Sequence, residues 1–228
     1  WRAGGSLVEQ ALRLRMETRG DAVPAADASS MTQRLCWLEL LRDARVASGL
    51  VSTNGRMAAD VDAKGRLQMC GKLLDGCDDT ELCSFDERTA MPTLQGTRVE
   101  RVSIGGGGHV LVLTDAGDVL SFGSGLRGAL GHGDRTDQHE PKVIEALRGV
   151  RVVAVAAGGY HSLVLTDEGE VLSFGYWAFG PLGHGKEEAQ LVPKVIEALR
   201  GVRVVEIAAG YHHSMVLTDE GEVLTFGR

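Results

Sequence analysis

Histidine is the residue type in this sequence best suited to chemistry, because imidazole can act as a general base or as a metal ligand. Five of the seven histidines recur at a spacing of 52 residues. They form two series, one of His109, His161 and His213 and one of His132 and His184. The spacing brings no carboxylate or thiol partner to either series. We therefore predict structural histidines whose ring nitrogens bind turn backbone, and no metal site.

The glycine run GGGGH at 105–109 has the composition of a phosphate cradle. No Lys-Ser/Thr pair and no helical pattern follows it, so we predict a tight connection between two strands instead. The sequence also offers no nucleophile–base pair and no paired carboxylates at catalytic spacing. We therefore expect a protein that is not an enzyme, with no catalytic residues and no cofactor.

Acidic residues recur at the tips of three predicted hairpins. If successive repeats lie side by side, these carboxylates form an acidic rim suited to a partner protein with a basic surface. Solvated turn residues would have the same composition, and that interpretation stays open. The members of the rim are Asp115, Asp118, Asp167, Glu168, Glu170, Asp219, Glu220 and Glu222.

Three aromatic residues, Tyr176, Trp177 and Phe179, stand within four positions of one predicted loop. The corresponding loop 52 residues earlier, at 124–127, reads SGLR. Two interpretations follow. The rings either pack on the next repeat or anchor a partner protein, since Tyr and Trp dominate binding hot spots.

A repeat of about 50 residues must position all of these side chains. The segment VRVVAVAAGGYHSLVLTDEGEVLSFG at 150–175 recurs at 202–227 with six differences, and a third copy lies at 102–123. A degenerate fourth copy at 57–71 keeps the 52-residue spacing at Gly65 and Gly71. Short apolar segments separated by glycine-containing turns predict four strands per copy. That count is typical of a β-propeller blade, and a solenoid is the structural alternative.

The repeat resembles that of the regulator of chromosome condensation family. Two copies read A-A-G-x-x-H-S-x-x-L-T-x-x-G-x-V-x-x-F-G, and G-x-L-G-H-G follows two of the copies. The resemblance covers residues 99–228 and, more weakly, 50–98. It implies a β-propeller of the seven-blade type. The sequence departs from the family pattern at Ala129 and Pro181, where the family has Gln, and at Phe122, Phe174 and Phe226, where it has Trp.

The chain divides into three regions by sequence. Residues 1–49 carry two capping boxes, which begin at Ser6 and Ser30, and we expect an α-helical N-terminal extension there. Residues 50–98 form a degenerate repeat, and 99–228 hold the clear repeats, the last of them truncated. We expect an all-β, partial propeller of three to four blades, either a fragment of a longer chain or a subunit within an assembly.

Composition disfavours two classes of function and bears on the compartment. A net charge of −7 disfavours a protein that binds nucleic acid, and no apolar run approaches the roughly 18 residues of a membrane span. Peripheral association with a membrane complex stays open. The four cysteines form no C-x-x-C pair, which favours free thiols in a reducing, intracellular compartment such as the cytoplasm or nucleus, with an organelle left open.

These observations favour a non-enzymatic protein–protein interaction scaffold. The family resemblance implies two alternatives: a guanine-nucleotide exchange factor for a small GTPase, or the regulatory propeller of a larger ligase or kinase chain. No insertion interrupts the 52-residue spacing to supply the wedge that exchange requires. Ultraviolet sensing, a further property of these repeats, needs a dense tryptophan cluster, whereas Trp1, Trp37 and Trp177 are scattered.

Overall fold

The computed structural model of the chain describes residues 51–53, 57–74, 81–94, 96–185 and 188–228. The predicted helical extension over 1–49 lies outside the described residues. The described part is all-β, as predicted, and its helical segments are single 3-10 turns at Pro92–Leu94, Glu145–Leu147 and Glu197–Leu199.

The strands form four antiparallel sheets, which we call blades 1 to 4. Blade 1 contains β1 Val51–Thr53, β2 Met57–Val61, β3 Leu67–Leu74 and β4 Glu81–Ala90. Blade 2 contains β5 Val99–Ile104, β6 His109–Thr114, β7 Val119–Gly123 and β8 Gln138–Val143. Blade 3 contains β9 Val152–Ala157, β10 His161–Thr166, β11 Val171–Gly175 and β12 Gln190–Val195. Blade 4 contains three strands, β13 Val204–Ala209, β14 His213–Thr218 and β15 Val223–Gly227.

The second and third strands of each clear repeat are joined by a tight hairpin. In blade 3 the amide of Gly169 donates to the carbonyl of Thr166 at 3.0 Å, and Gly169 adopts a φ of 86°, which favours glycine. The amide of Glu170 donates to the Thr166 hydroxyl at 3.1 Å and closes the turn. The T-D-E-G pattern therefore fixes the register in which His161 pairs with Gly175.

Neighbouring blades pack face to face through apolar side chains. Leu163 and Leu165 on β10 pack against Val204, Ile207 and Val216 of blade 4, and all five are buried. Burial of each leucine side chain contributes about 2 kcal/mol. Blades 2 and 3 pack on each other in the same way. Each repeat therefore supplies an apolar face that packs against the blade of the next repeat.

The faces of blades 1 and 4 that do not pack on another described blade differ in polarity. In blade 4, Met215 is 37% and Val223 is 63% exposed, whereas their counterparts in blade 3, Leu163 and Val171, are 0% and 2% exposed. In blade 1 the face away from blade 2 carries polar residues at positions where later blades are apolar. Asp60, Gln68 and Cys70 there correspond to Val112, Leu120 and Phe122 of blade 2.

Candidate binding surface

Two kinds of loop open at the same end of the blades. The short connections at 105–108, 158–160 and 210–212 precede β6, β10 and β14, and the long loops that begin at Ser124 and Tyr176 follow β7 and β11. Strand pairing forces this, because His161, the first residue of β10, lies opposite Gly175, the last residue of β11. Side chains from both kinds of loop therefore meet.

At this end of blade 2, Gly106 and Gly107 form a flat stretch of backbone that we call the glycine floor. A Cβ atom on Gly107 would stand 2.4 Å from the ring of Tyr160, and one on Gly106 would stand 2.8 Å from the ring of Tyr211. The amides of Gly106 and Gly107 donate to the carbonyls of Gly158 and Gly159 at 3.0 and 2.6 Å. The run GGGGH is thus a strand connection, as predicted, and its lack of side chains makes room for two tyrosine rings.

Aromatic rings at this end form two groups of contacts in blades 3 and 4. Tyr160 and Tyr211 meet edge to face with centroids 5.7 Å apart, and Tyr211 lies 4.6 Å from His212. His212 lies 4.6 Å from Phe179, and Tyr176 lies 6.0 Å from Trp177. Such pairs add about 1 kcal/mol each beyond the area they bury.

Two arginines border these rings, Arg127 between Tyr160 and Tyr176 and Arg228 beside Phe179. The Arg127 guanidinium, from the blade 2 loop, stands 4.5 Å from the ring centroid of Tyr176 and 5.8 Å from that of Tyr160. The Arg228 guanidinium stands 5.6 Å from the Phe179 ring. We call this set the aromatic surface. Its members are Arg127, Tyr160, Tyr176, Trp177, Phe179, Tyr211, His212 and Arg228.

Phe179 has an unusual backbone. Its φ of 73° makes it the one non-glycine residue in the left-handed region among the residues that the structure describes. The turn is closed by the amide of Gly180, which donates to the Trp177 carbonyl at 2.9 Å. A bulky residue in this region costs on the order of 1 kcal/mol, and such strain clusters at binding sites. Phe179 is nevertheless 48% exposed, so burial of its ring recovers only part of that cost.

The three aromatic residues singled out by sequence lie in this surface. Phe179 packs on His212 of the next blade while half of it stays open to solvent, and Tyr176 and Trp177 are half-buried. Their part in partner binding stays a prediction. The sequence interpretation missed Tyr160 and Tyr211. Glycines at the corresponding loop positions of blade 2 were the available signal, since they leave room for rings.

The predicted structural histidines form two geometries. His109 and His161 are buried, and Gly105 and Gly158 approach them so closely that a Cβ atom would stand 2.1 and 2.2 Å from the ring carbons. Burial lowers the pKa of His109 to about 4. Burial, together with the neighbouring histidines, lowers the pKa of His161 to about 3. Both rings are therefore neutral at pH 7. His213, their counterpart in blade 4, is exposed.

The second histidine series pairs with serines. Nε2 of His132 lies 3.0 Å from the Ser121 hydroxyl, which itself donates to the Leu130 carbonyl at 2.6 Å. His184 and Ser173 repeat this arrangement at 3.0 Å. Because a hydroxyl has a single proton, the serine oxygen accepts from the imidazole N–H. Burial lowers the pKa of both histidines. The geometry is therefore not that of a base-activated serine nucleophile.

The eight carboxylates of the acidic rim are all exposed at the opposite end of the blades. Arginines lie among them. The amides of Asp115, Asp167 and Asp219 donate to the carbonyls of Arg98, Arg151 and Arg203, each at 3.0 Å. The rim is thus mixed in charge, and its role in binding a basic partner stays a prediction.

No group of three His, Cys, Asp or Glu side chains in the described ranges could hold a metal ion. No helix among the described residues is long and apolar enough to cross a membrane.

Sequence comparison finds the same repeat elsewhere. The family described as the regulator of chromosome condensation (RCC1) repeat matches residues 116–165 and 168–217, and a second description of that repeat matches 152–179. The E3 ubiquitin-protein ligase HERC2 of Homo sapiens is 40% identical over 181 residues, which are 78% of this chain and 4% of that protein. The RCC1 domain-containing protein RUG3 of Arabidopsis thaliana is 42% identical over 122 residues, 54% of this chain and 27% of that protein.

Solved structures show the same architecture. Human WBSCR16 superposes with a TM-score of 0.66 at 24% identity, over 78% of this chain and 47% of that one. Yeast RCC1 (Prp20) bound to Kap60 gives a TM-score of 0.63 at 21% identity, over 78% and 43%. Similarity at this identity establishes the fold alone, whereas the repeat matches establish descent. By its repeats, this chain belongs to the regulator of chromosome condensation (RCC1) repeat family.

Proposed function

We propose that this chain is a non-enzymatic protein–protein interaction scaffold and that a partner protein binds the aromatic surface. The observation that carries the proposal is the pair of ring groups across two blades that Arg127 joins, in which Phe179 and Tyr211 are 48% and 51% exposed. Large exposed rings supported by a fixed backbone are typical of binding hot spots.

The relatives support an interaction role. Yeast RCC1 is seen bound to Kap60, and another structure of Prp20p is described with its binding to Gsp1p and histones. A relative 38% identical over 116 residues is the inhibitor of Bruton tyrosine kinase of Mus musculus. The chain spans only 4% to 27% of the first relatives that it matches, so their whole activities do not transfer to it.

The regulatory propeller of a larger ligase is a second candidate. The observation that favours it is the 40% identity with HERC2 over 78% of this chain. In that case the aromatic surface serves the same purpose and recruits a protein to the ligase. The exchange-factor alternative rests on family resemblance alone. Binding of a basic partner by the acidic rim remains a separate proposal.

Substitution of one residue in the surface tests the proposal. Trp177→Ala removes the largest ring, and truncation of such an anchor weakens binding by about 2 kcal/mol, which is roughly 30-fold. The matched control is Val192→Ala, because Val192 is 44% exposed but lies on β12 outside the aromatic surface. Proteins captured by the wild-type chain are identified by mass spectrometry, purified, and titrated against both variants.

Two measurements on the same variants decide the outcome. We expect Trp177→Ala to lose the partner while its melting temperature stays within a few degrees of the wild type, and Val192→Ala to keep both. A lower melting temperature with unchanged partner affinity would show that Trp177 serves only to pack the loop.

A further inference from the structure

The guanidinium of Arg127 forms no ion pair with a carboxylate of the described residues. Its Nε atom is buried and has no hydrogen-bond partner. Three arginines that the structure describes pair with carboxylates: Arg66 with Asp62, Arg148 with Glu145 and Arg200 with Glu197. An incompletely hydrated guanidinium with no counter-ion costs free energy, which a ligand can recover.

Aromatic rings hold this guanidinium in place. Tyr176 stacks on it at 4.5 Å and Tyr160 borders it at 5.8 Å, so the side chain reaches from blade 2 onto the rings of blade 3. Ring faces stabilise the positive charge but accept hydrogen bonds poorly. The partly exposed guanidinium therefore keeps donors that a planar anion can use with little loss of side-chain entropy.

We infer that Arg127 binds a carboxylate of the partner, and that the partner presents an extended peptide segment with an Asp or Glu beside an apolar residue. The inference rests on the proposed function and adds the chemistry of the ligand. The carboxylate accepts from the guanidinium, and the apolar neighbour lies on the rings of Tyr160 and Tyr211. A charge-assisted contact of this kind is shorter and stronger than a neutral one.

The electrostatics of the chain favour a monoanion on a peptide over a nucleic acid. Polyanions are repelled by a net charge of −7, and binding of single-stranded nucleic acid requires a continuous basic groove beside the rings. Between Tyr160 and Tyr176 one guanidinium is available, and Arg228 lies against Phe179. A single carboxylate matches one guanidinium in charge and in planar geometry.

Selection from a random library tests the inference. Phage-displayed dodecapeptides are panned on the immobilised wild-type chain, on Arg127→Gln and on Arg135→Gln. Arg135 is an exposed arginine of the same loop outside the aromatic surface, so its variant makes the same change in net charge. We expect Asp and Glu to be enriched beside apolar residues with the wild type and with Arg135→Gln, and acid enrichment to disappear with Arg127→Gln.

Synthetic peptides then measure the contact. The strongest wild-type peptide is titrated with its acidic residue intact, as the Asn or Gln amide, and as phosphoserine. Replacement by the amide should weaken binding to the wild type about tenfold and leave binding to Arg127→Gln unchanged. Equal affinities of acid and amide, or tighter binding of the phosphopeptide, would overturn the inference.

The outcomes separate the two proposals. Selected peptides without acidic residues, whose binding is lost in Trp177→Ala, would leave the interaction surface standing and refute the carboxylate ligand. Absence of any enrichment on the wild-type chain would refute both. Circular dichroism melts of the Arg127 and Arg135 variants verify that each is folded during selection.

Discussion

Nε2 of His161 lies 2.9 Å from the hydroxyl of Ser214, across the boundary between blades 3 and 4. The same hydroxyl donates to the carbonyl of Pro181 at 2.7 Å, so one serine joins a strand, a loop and a histidine. At the previous boundary, Ser162 donates to the Ala129 carbonyl at 2.7 Å, but Nε2 of His109 is buried without a hydrogen-bond partner. Two equivalent boundaries thus differ by one hydrogen bond.

Replacement of the two serines by alanine should therefore have unequal effects. Ser214→Ala leaves both the Pro181 carbonyl and the His161 ring without this hydrogen-bond partner, whereas Ser162→Ala removes the partner of the Ala129 carbonyl alone. We expect Ser214→Ala to lower the free energy of unfolding by about 1 kcal/mol more than Ser162→Ala. Urea titration of both variants measures the difference, and equal losses would contradict the hydrogen bond to His161.

The stability of the fold should depend on pH through the buried histidines. Their folded pKa values, about 4 for His109 and about 3 for His161, lie below the ordinary value of 6.5. The unfolded chain therefore binds more protons than the folded chain below pH 6.5, and stability falls with decreasing pH from there toward pH 4. Each histidine should contribute a loss of about 2 kcal/mol by pH 5.

Urea unfolding at pH 7.5, 6.0 and 5.0 measures this dependence. His161→Gln removes one of the two protonation sites, so its stability should fall less steeply with pH than that of the wild type, whatever its value at pH 7.5. Asp62, whose pKa is lowered to about 2, responds only at more acidic pH and does not obscure the effect. A wild-type stability that is flat between pH 7.5 and 5.0 would refute the prediction.

At position 179, glycine should give a more stable protein than alanine, which is the reverse of the usual order of stability. Because the φ of Phe179 is 73°, Phe179→Gly should be more stable than Phe179→Ala by about 1 kcal/mol. Arg127 occupies the corresponding position of the blade 2 loop and does not share this backbone conformation, so Arg127→Ala should equal or exceed Arg127→Gly in stability. Thermal melts of the four variants test the pair, and the same order at both sites would argue against strain at Phe179.

Equivalent valines on β11 and β15 should respond differently to truncation. Val171 is 2% exposed between blades 3 and 4, and Val223 is 63% exposed on the outer face of blade 4. Val171→Ala should lower the free energy of unfolding by about 2 kcal/mol, and Val223→Ala should change it by no more than about 0.5 kcal/mol. If both variants lose equal stability in urea, Val223 is covered by a contact in solution, for instance between two copies of the chain.

The sequence was sufficient to predict the blades because the same pattern of apolar residues and turn glycines occurs in several copies. Apolar positions such as Leu163 and Leu165, and the hairpin glycine Gly169, each have counterparts at the same spacing, so one repeat checks another. The aromatic surface was only half predicted. Tyr176 and Trp177 were visible as neighbours in one loop, whereas Tyr160 and Tyr211 lie 51 residues apart and come together only through blade packing.

Two other features could not be predicted from residue types. Phenylalanine disfavours a positive φ, so the backbone of Phe179 had no signal in the sequence. Arg127 was one arginine among many, and its lack of a carboxylate partner depends on three-dimensional neighbours. The mixed charge of the rim likewise became visible only when Arg151 was placed beside Asp167.

The glycine floor has a consequence for the thermodynamics of recognition. Hydrogen bonds from Gly106 and Gly107 to blade 3 fix the backbone on which the rings of Tyr160 and Tyr211 rest. A ligand that docks there does not have to order a loop, so the conformational entropy lost on association is confined to a few side chains and to the ligand itself. The aromatic surface is then rigid, and the affinity of a ligand for it depends on how much conformational entropy the ligand itself loses on binding.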